Sequence, residues 1–535
     1  MNFTDILLFI LIIQVIHFLG TWKLYKLTGR NAWEAAVPVY NAVVFLSIIK
    51  KPKWWVVLLF IPVINLLMFP VLWVNAAIVF GKDKQLDKFL AVLSLGLYLY
   101  YLNYSPDTTY IGNKEIDKEE KKNEWVGSIV FAVIAATIVH TYVMQPFTIP
   151  TSSLEKSLLV GDFLFVSKFH YGARTPMTPV ALPMVHDSIP LTKNKSYWNK
   201  VKLPYFRIPG FQEVQQNDIV VFNWPTDTVR MFRDESGKHY YKPIDKKTNY
   251  VKRAVGLPGD SLAIKDGIIY INDEILEFDE RAKPQYSYIV DARNEVFSSN
   301  FLASRYDITD GLTYYNKNKN QFLIQAISED ALKTFKNHPN VANIKRYIYP
   351  ATYQEITENR RTRELNKKVI FPNNGKKVWN RDQMGPIYIP KADATVELNE
   401  ESFAFYRRII EVYEGKEMGV QQQLSFKDGK VLLNGEETTS YTFKQNYYWM
   451  QGDNRHNSED SRYWGYVPEN HIVGKPVFIW LSIDPNGSGI NKIRWDRMFT
   501  TVKGEGERTS YFPYFAILLL AYFGFNFFRK KKQKE

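Results

Sequence analysis

The chain has 535 residues, 68 of them Lys or Arg against 55 Asp or Glu, a net charge of +13, with 15% aromatic residues and no cysteine. The aromatic content is too high for a disordered chain. The lack of cysteine excludes disulfides, thiol catalysis and cysteine-ligated zinc. No helix-turn-helix signature or basic arm accompanies the positive charge. No nucleic-acid partner is therefore expected, and the lysines read as cytoplasmic flanks of membrane spans.

Residues 5–20 are apolar apart from Asp5 and His17. A signal peptide would place basic residues before such a run. Here Lys23, Lys26 and Arg30 follow it, which predicts a first span with its N-terminus outside. Residues 54–80 exceed the roughly 20 apolar residues a span needs, with kinks expected at Pro62 and Pro70. Residues 88–104 are a shorter, Tyr-rich candidate. Residues 34–49 hold Pro38 and Asn41 between basic flanks and read as an interfacial or re-entrant helix. Residues 1–105 together form an expected N-terminal membrane domain. A charged cytoplasmic loop (106–124) leads into a transmembrane anchor (125–146). A C-terminal transmembrane helix (511–528) precedes a basic cytoplasmic tail (529–535). Five crossings put the long polar region, about 147–510, outside the cytoplasm, since basic flanks stay inside.

That region alternates like β-strands in NDIVVFNWP, SLAIKDGIIYINDEIL, KDGKVLLNGEE and KPVFIWLSI, which are β-branched and aromatic runs between turn residues. The segments at 265–274 and 427–436 resemble each other and read as two hairpins, by duplication or by shared turn chemistry. Between them the texture changes. Ser328 is an expected helix N-cap, and Asn399 caps a helix that should stop at Gly415. The expectation is a β-rich catalytic domain (147–279 and 427–510) carrying an α+β insertion at 280–426.

The chemistry is narrowed by what is missing. Eight histidines occur without an H-x-x-x-H or H-E-x-x-H pair, so no metal is implied. No G-x-S-x-G elbow is present. His456, near Asp453 and Asp460, is the candidate for a Ser-His-Asp triad or simply a polar loop residue. Ser153 and Lys156 are spaced S-x-x-K, but a penicillin-binding reading also needs K-T-G on a later strand, and none is found. A serine needs a base, and a lysine with its ordinary pKa of about 10.4 is already protonated. Apolar burial lowers that pKa. Lys156 has Glu155 beside it and is expected to be solvated. Lys252 sits in NYVKRAVGLPGD among Tyr250, Val251, Ala254 and Val255, with Arg253 adjacent to disfavour a second charge.

Four ordered blocks carry a resemblance: QPFTIPTSSLEKSLLVGDFLFVSKFHYG (145–172), NDIVVFNWP (217–225), YVKRAVGLPGD (250–260) and GDNRHNSEDSRYWGYVP (452–468). The sequence resembles bacterial type I signal peptidase (leader peptidase), a Ser–Lys membrane serine protease. The resemblance implies a multi-span membrane protein with a mainly β extracytoplasmic catalytic domain of signal-peptidase-like antiparallel sheets. It implies cleavage of signal peptides from exported preproteins at the outer face of the cytoplasmic membrane, through an acyl-enzyme. The partners would be preproteins and the lipid bilayer, and no cofactor is implied. By position, Ser153 matches the nucleophile and Lys252 the base. Thr151 matches an oxyanion donor and Ser458 a serine that orients the lysine. Asp460 and Arg462 match a supporting ion pair, with Asp453, Asn454 and Arg455 shaping the same wall. Phe147, Ile149, Leu154 and Val251 fall where shallow substrate pockets are lined. The run Ser153-Leu154-Glu155-Lys156-Ser157 departs from the family's usual Ser-Met followed by Pro-Thr, which leaves the turn after Ser153 to be explained. A non-catalytic envelope binding protein is the alternative that this departure would favour.

Overall fold

The computed structural model describes residues 3–112, 124–192, 194–229, 238–294, 297–355, 357–358, 365–366 and 369–532. Most of the expected charged loop at 106–124 and the end of the basic tail lie outside the described residues. Two compact units form: residues 1–143 with 174–207, and residues 144–173 with 208–535.

In the first unit, Phe3–Leu27 is one helix of 25 residues. The stretch 54–80 is not a single helix. A 3-10 helix, Lys53–Phe60, gives way to extended backbone at Ile61, and an α-helix resumes at Ile64–Val79. Pro62 is the cause, because proline disfavours helical backbone in the residue before it. Residues 88–104 likewise divide into Gln85–Leu93 and Tyr98–Tyr104, broken at Leu95 and Gly96, both with positive φ. Residues 34–49 hold the end of a 3-10 turn, Ala32–Ala35, and the helix Tyr40–Ile48. Leu24, Tyr25, Phe45, Ala76 and Phe80 share this unit's main core. The expected anchor at 125–146 is the helix Glu124–Ile138 and a π turn, Val139–Val143. From Met144 the chain is already strand. Among the described residues, two helical windows are long and apolar enough to cross a membrane, Ile10–Leu27 and Phe512–Arg529. Ile64–Val79 and Gly127–Val143 are apolar but shorter.

The second unit is mainly antiparallel β-structure. Its largest sheet has eight strands, numbered here in chain order. They are β1 (Met144–Thr148), β2 (Asp162–Ser167), β3 (Ile219–Asn223), β4 (Asn249–Gly256), β5 (Tyr447–Gln451), β6 (Val467–Pro468), β7 (Ile472–Ser482) and β8 (Thr500–Thr501). The spatial order is β1-β2-β7-β3-β4-β5-β6, with β8 also on β7. Pro146 is tolerated in β1 because β1 is an edge strand. The β3–β4 register sets Val220 opposite Lys252 and Val221 opposite Val251. Below one side of this sheet, Ile149, Leu154, Leu158, Leu164, Val221 and Ile479 form one core cluster.

A second sheet joins Ser261–Lys265, Ile268–Ile271 and Glu274–Ile275 to Met384–Tyr388. The similar hairpins turn at Asp266-Gly267 and Asp428-Gly429, all four residues at positive φ, as a tight two-residue hairpin requires. They share that turn but lie in different sheets.

The segment 280–426 is not one insertion. Its first part builds a separate four-stranded sheet ordered Val341–Arg346, Gln285–Ala292, Gln321–Ser328, Leu312–Asn316. The helices Ser299–Tyr306 and Glu329–Phe335 accompany it over a core of its own that includes Val290, Leu302, Phe322 and Phe335. Ser328 caps the second helix. The later part belongs to the main core. Met384–Tyr388 pairs with Ser261–Lys265. The helix Glu400–Arg408, capped by Asn399 and continued by a π turn to Tyr413, packs in one cluster with Leu262, Trp449 and Tyr466.

Ile387 tests this boundary, being 2% exposed and opposite Leu262. Ile387→Ala is expected to lower the stability of the second unit by about 2–5 kcal/mol, the range for a buried isoleucine, read as a fall in the urea midpoint. A surface-like change below about 0.5 kcal/mol would return this strand to a peripheral insertion.

Candidate active site

The loop Ile149–Asp162 is closed at its base by two backbone bonds, Ile149 N to Asp162 O and Gly161 N to Ile149 O, both 2.9 Å. Gly161 has φ +90, and a Cβ there would lie 1.9 Å from the Ile483 carbonyl oxygen, so only glycine fits. Asp162 is fully buried and bonded to Arg497, Ser482 Oγ and the Leu159 amide. Leu154 and Leu158 anchor the loop in the apolar cluster. Between these supports a 3-10 turn, Ser152–Leu154, raises Ser153 beside β4.

Lys252 Nζ donates to Ser153 Oγ at 2.6 Å. Both residues are buried, at 4% and 8% exposure. Burial is the largest influence on the Lys252 amine and lowers it; Asp460 and Glu459 pull the other way, and Arg462 adds to the lowering, leaving it at about 8 rather than 10.5. The neighbouring cation expected to act on Lys252 was Arg253, whose side chain instead makes a two-pronged pair with Asp453, at 2.8 and 2.6 Å. Arg462, not Arg253, is the repelling charge.

Asp460 grips Arg462 through Nε at 2.9 Å and Nη2 at 2.8 Å. It also caps the short helix Ser461–Trp464 and accepts from the Gly452 amide at 3.0 Å. Burial alone would raise the Asp460 carboxyl; the Arg462 guanidinium and these hydrogen bonds hold it below its ordinary value. Asn454 N donates to the Ser153 carbonyl at 3.1 Å. That approach needs Gly452, where a Cβ would fall 2.2 Å from Ser458 Oγ and 2.6 Å from Ser153 O. Ser458 Oγ is buried without a hydrogen-bond partner, so the lysine-orienting bond expected of it is not made here. Arg455 is buried with its guanidinium over the Phe278 ring, 5.2 Å from its centroid.

A cleft of about 770 Å³ opens over the pair. Phe147, Ile149, Thr151, Leu154, Val251 and Ser458 all line it, as do Ser153 and Lys252 themselves. Val369, Arg381 and Tyr463 complete a wall that the sequence reading did not anticipate. Arg381 is held by Glu355 at 2.9 and 3.0 Å. No local motif marks Arg381, because the chain from 369 to 381 is loop.

Two other candidates resolve differently. Lys156 is not solvated: its side chain is 10% exposed, and its ammonium pairs with Asp307 at 2.7 Å. His456 bridges Ser287 and Asp382, the latter at 3.0 Å. Ser287 is 2% exposed on the separate sheet and also donates to Gln325 O. The group therefore ties that sheet to the catalytic wall and presents no nucleophile to the cleft. Among the described residues no cluster of three or more His, Asp or Glu could hold a metal.

A serine paired with a buried, lowered lysine in an apolar cleft is the arrangement that a serine hydrolase of the Ser–Lys kind requires. Residues 122–341 and 387–481 match the family described as signal peptidase, peptidase S26. The chain belongs to that family and is a serine endopeptidase. Residues 33–113 match a family of unknown function, DUF5684. The chain is 27% identical over 409 residues to a protein named Signal peptidase I from Buchnera aphidicola of Acyrthosiphon pisum, covering 74% of this chain and 90% of the relative. The homonymous protein of the Schizaphis graminum strain is 26% identical over 362 residues, 66% of this chain and 76% of the relative. Signal peptidase I of Rickettsia massiliae is 32% identical over 156 residues, 29% of this chain and 45% of the relative. The family match takes in most of the separate sheet, and what it omits between its two parts is residues 342–386.

A lowered lysine pKa carries a sign. In the unfolded chain Lys252 ionises near 10.5, and in the folded chain at about 8. Between these values the unfolded state binds more protons, so the group's contribution to stability rises with pH. Below about 8 its full burial penalty is present. Lys252→Met is therefore expected to be more stable than the parent at pH 7, with the difference shrinking toward pH 10.5. Paired thermal melts across that range check it. A variant less stable at pH 7, with a pH-independent difference, would contradict the penalty.

Proposed function

We propose that this peptidase removes signal peptides from exported preproteins at the outer face of the cytoplasmic membrane. The carrying observation is the 2.6 Å contact between a buried lysine, lowered to about 8, and a serine in an apolar cleft. Ser153 Oγ attacks the carbonyl carbon of the residue before the cut, and Lys252 takes its proton. The oxyanion receives hydrogen bonds from the Ser153 amide and the Thr151 hydroxyl, donors of a kind often worth about 3 kcal/mol each. Lys252 then protonates the leaving amine, freeing the mature protein. A water deprotonated by the same amine hydrolyses the ester and releases the signal peptide. Asp460 and Arg462 hold the wall behind Lys252, and Ser458, which lines the same cleft without a bond to the amine in this structure, would orient it only during turnover. Phe147, Ile149, Leu154 and Val251 admit small side chains before the cut.

The substrate reaches this site from the bilayer. In this reading the chain is a multi-pass protein with its N-terminus outside, residues 147–510 outside and the basic tail inside. The helix ending at Ile138, only 15 residues before the nucleophile, supports a site near the membrane surface. The absence of native cysteine makes the topology testable with single introduced cysteines. A cysteine within 285–346 is expected to react with an impermeant maleimide in intact cells stripped of any outer membrane. Reaction only after lysis would invert the topology.

Purified protein and a model preprotein, with N-terminal sequencing of the product, test the activity. Cleavage is expected after Ala-x-Ala-like sites, and efficient cleavage after Phe or Lys would overturn the pocket assignment. The kcat/KM profile should rise through about pH 8 as Lys252 loses its proton. Ser153→Ala and Lys252→Ala should fall to background while remaining folded, and Lys252→Arg should not rescue, since guanidinium stays protonated. Lys156→Ala should keep most activity, because its partner Asp307 is largely exposed and such pairs contribute little. A dead Lys156→Ala beside an active Lys252→Ala would make the dyad local.

A further inference from the structure

Resting on that reading of the site, we propose that Asp310, on the loop after the helix Ser299–Tyr306 of the separate sheet, is a positioning residue that clamps the nucleophile turn. The turn after Ser153 is where this sequence departs from its family, and it needs external support. Lys156 sits at φ +70, a left-handed conformation unfavourable for any side chain bearing Cβ. No proline stiffens the turn.

The separate sheet supplies the support at three points. Asp310 Oδ2 accepts from Asn454 Nδ2 at 2.7 Å and from Asn457 Nδ2 at 3.3 Å. Each of these asparagines reaches the turn directly. Asn454 N donates to Ser153 O at 3.1 Å, and Asn457 Nδ2 donates to Ser152 Oγ at 2.9 Å. Gln285, which opens the sheet, donates from Nε2 to Glu155 O at 2.9 Å and pairs as a parallel bridge with Asn454. Asp307, three residues before Asp310, meets Lys156. One short acidic loop thus touches both sides of Ser153, through the asparagines on one flank and through Lys156 on the other.

The contacts are not equivalent. Asp307 is 76% exposed at its side chain, so its pair with Lys156 is screened by water. Asp310 is partly buried and offers a charged acceptor to two amides, and hydrogen bonds to an ionised acceptor are roughly twice as strong as neutral ones. Asp310 is not among the residues that line the cleft, and it makes no hydrogen bond to Lys252. Its effect must pass through the orientation of Ser153, where a displacement near 1 Å can cost about a hundredfold in rate.

The test is Asp310→Ala, Asp310→Asn, Ser153→Ala and the parent, assayed side by side as full-length protein in detergent with the model preprotein. Asp310→Ala should lose about tenfold or more in kcat with KM within about twofold. Its acidic limb should stay at about pH 8, because burial, Asp460, Glu459 and Arg462 around Lys252 are unchanged. Asp310→Asn, which keeps an oxygen acceptor, should recover most of the rate. Unchanged kcat in Asp310→Ala overturns the proposal. So does a loss that lies wholly in the fraction of sites acylated by a serine-directed inhibitor, with the rate per reactive site intact. If Asp310→Ala does not fold, Asn457→Ala, which severs the same link at Ser152, carries the same expectation and the same refutation. A parent as inactive as Ser153→Ala would instead refute the reading of the site, leaving the two failures distinct.

Discussion

A lysine can act as a base near neutral pH only where its charged form is made unfavourable, and a chain can bury a lysine only if something else gives that position its shape. The catalytic sheet meets both demands at Lys252. Burial lowers the amine, and Asp460 and Glu459 limit how far it falls. Two buried ion pairs close the wall around it: Arg253 with Asp453, Arg462 with Asp460. Removing one member of such a buried pair leaves an uncompensated charge, so these pairs fix the geometry of the wall behind the base. The loops converge on the same requirement. Gly452 lets the 452–458 segment lie against the Ser153 carbonyl, and Asp162 with Arg497 locks the far end of the nucleophile loop.

The serine side is held by different means. Ser153 is presented on a 3-10 turn whose apolar anchors, Leu154 and Leu158, face the core, while its polar face is steadied by Asn454 and Asn457. Lys252, the proposed base, is thus fixed by a strand, and Ser153, the proposed nucleophile, by a loop. A loop is the less rigid of the two, since fewer of its backbone groups are paired in a ladder. That asymmetry explains why so much hydrogen bonding from outside the main sheet converges on the turn and so little on β4.

Much of this was legible in the sequence because it is written locally. The blocks around Ser153, Lys252 and Asp460 carry turn glycines, alternating apolar residues and paired charges at short spacing, and the helix caps Ser328 and Asn399 were legible for the same reason. Where the reading went astray, the deciding partner was remote. Lys156 looked solvated beside Glu155, yet Asp307, over 150 positions away, covers it. Arg253 looked like the charge acting on Lys252, yet it is held by Asp453 from 200 positions away and the cation that lowers Lys252 is Arg462. The segment 280–426 read as one α+β insertion, but Met384–Tyr388 pairs with a strand more than 100 residues earlier, and strand pairing leaves no mark in composition. Within 54–80 the apolar count argued for one kinked span, and the backbone restriction imposed by Pro62 does more than kink it, dividing it into two helices. The departure at Glu155-Lys156 was the one visible sign that the turn depended on something beyond itself.

Proton transfer from Ser153 to Lys252 depends on the protonation of one side chain, and that can be measured without substrate. Competitive acetylation of Lys252 in the detergent-solubilised protein, followed by mass spectrometry across pH 6–11, reports the fraction of free amine directly. The expected midpoint is at about 8, with the amine largely neutral by pH 9 and protected only by its limited access. A midpoint near the ordinary 10.5 would mean that Lys252 is charged throughout the working range, and it could not then be the base for Ser153.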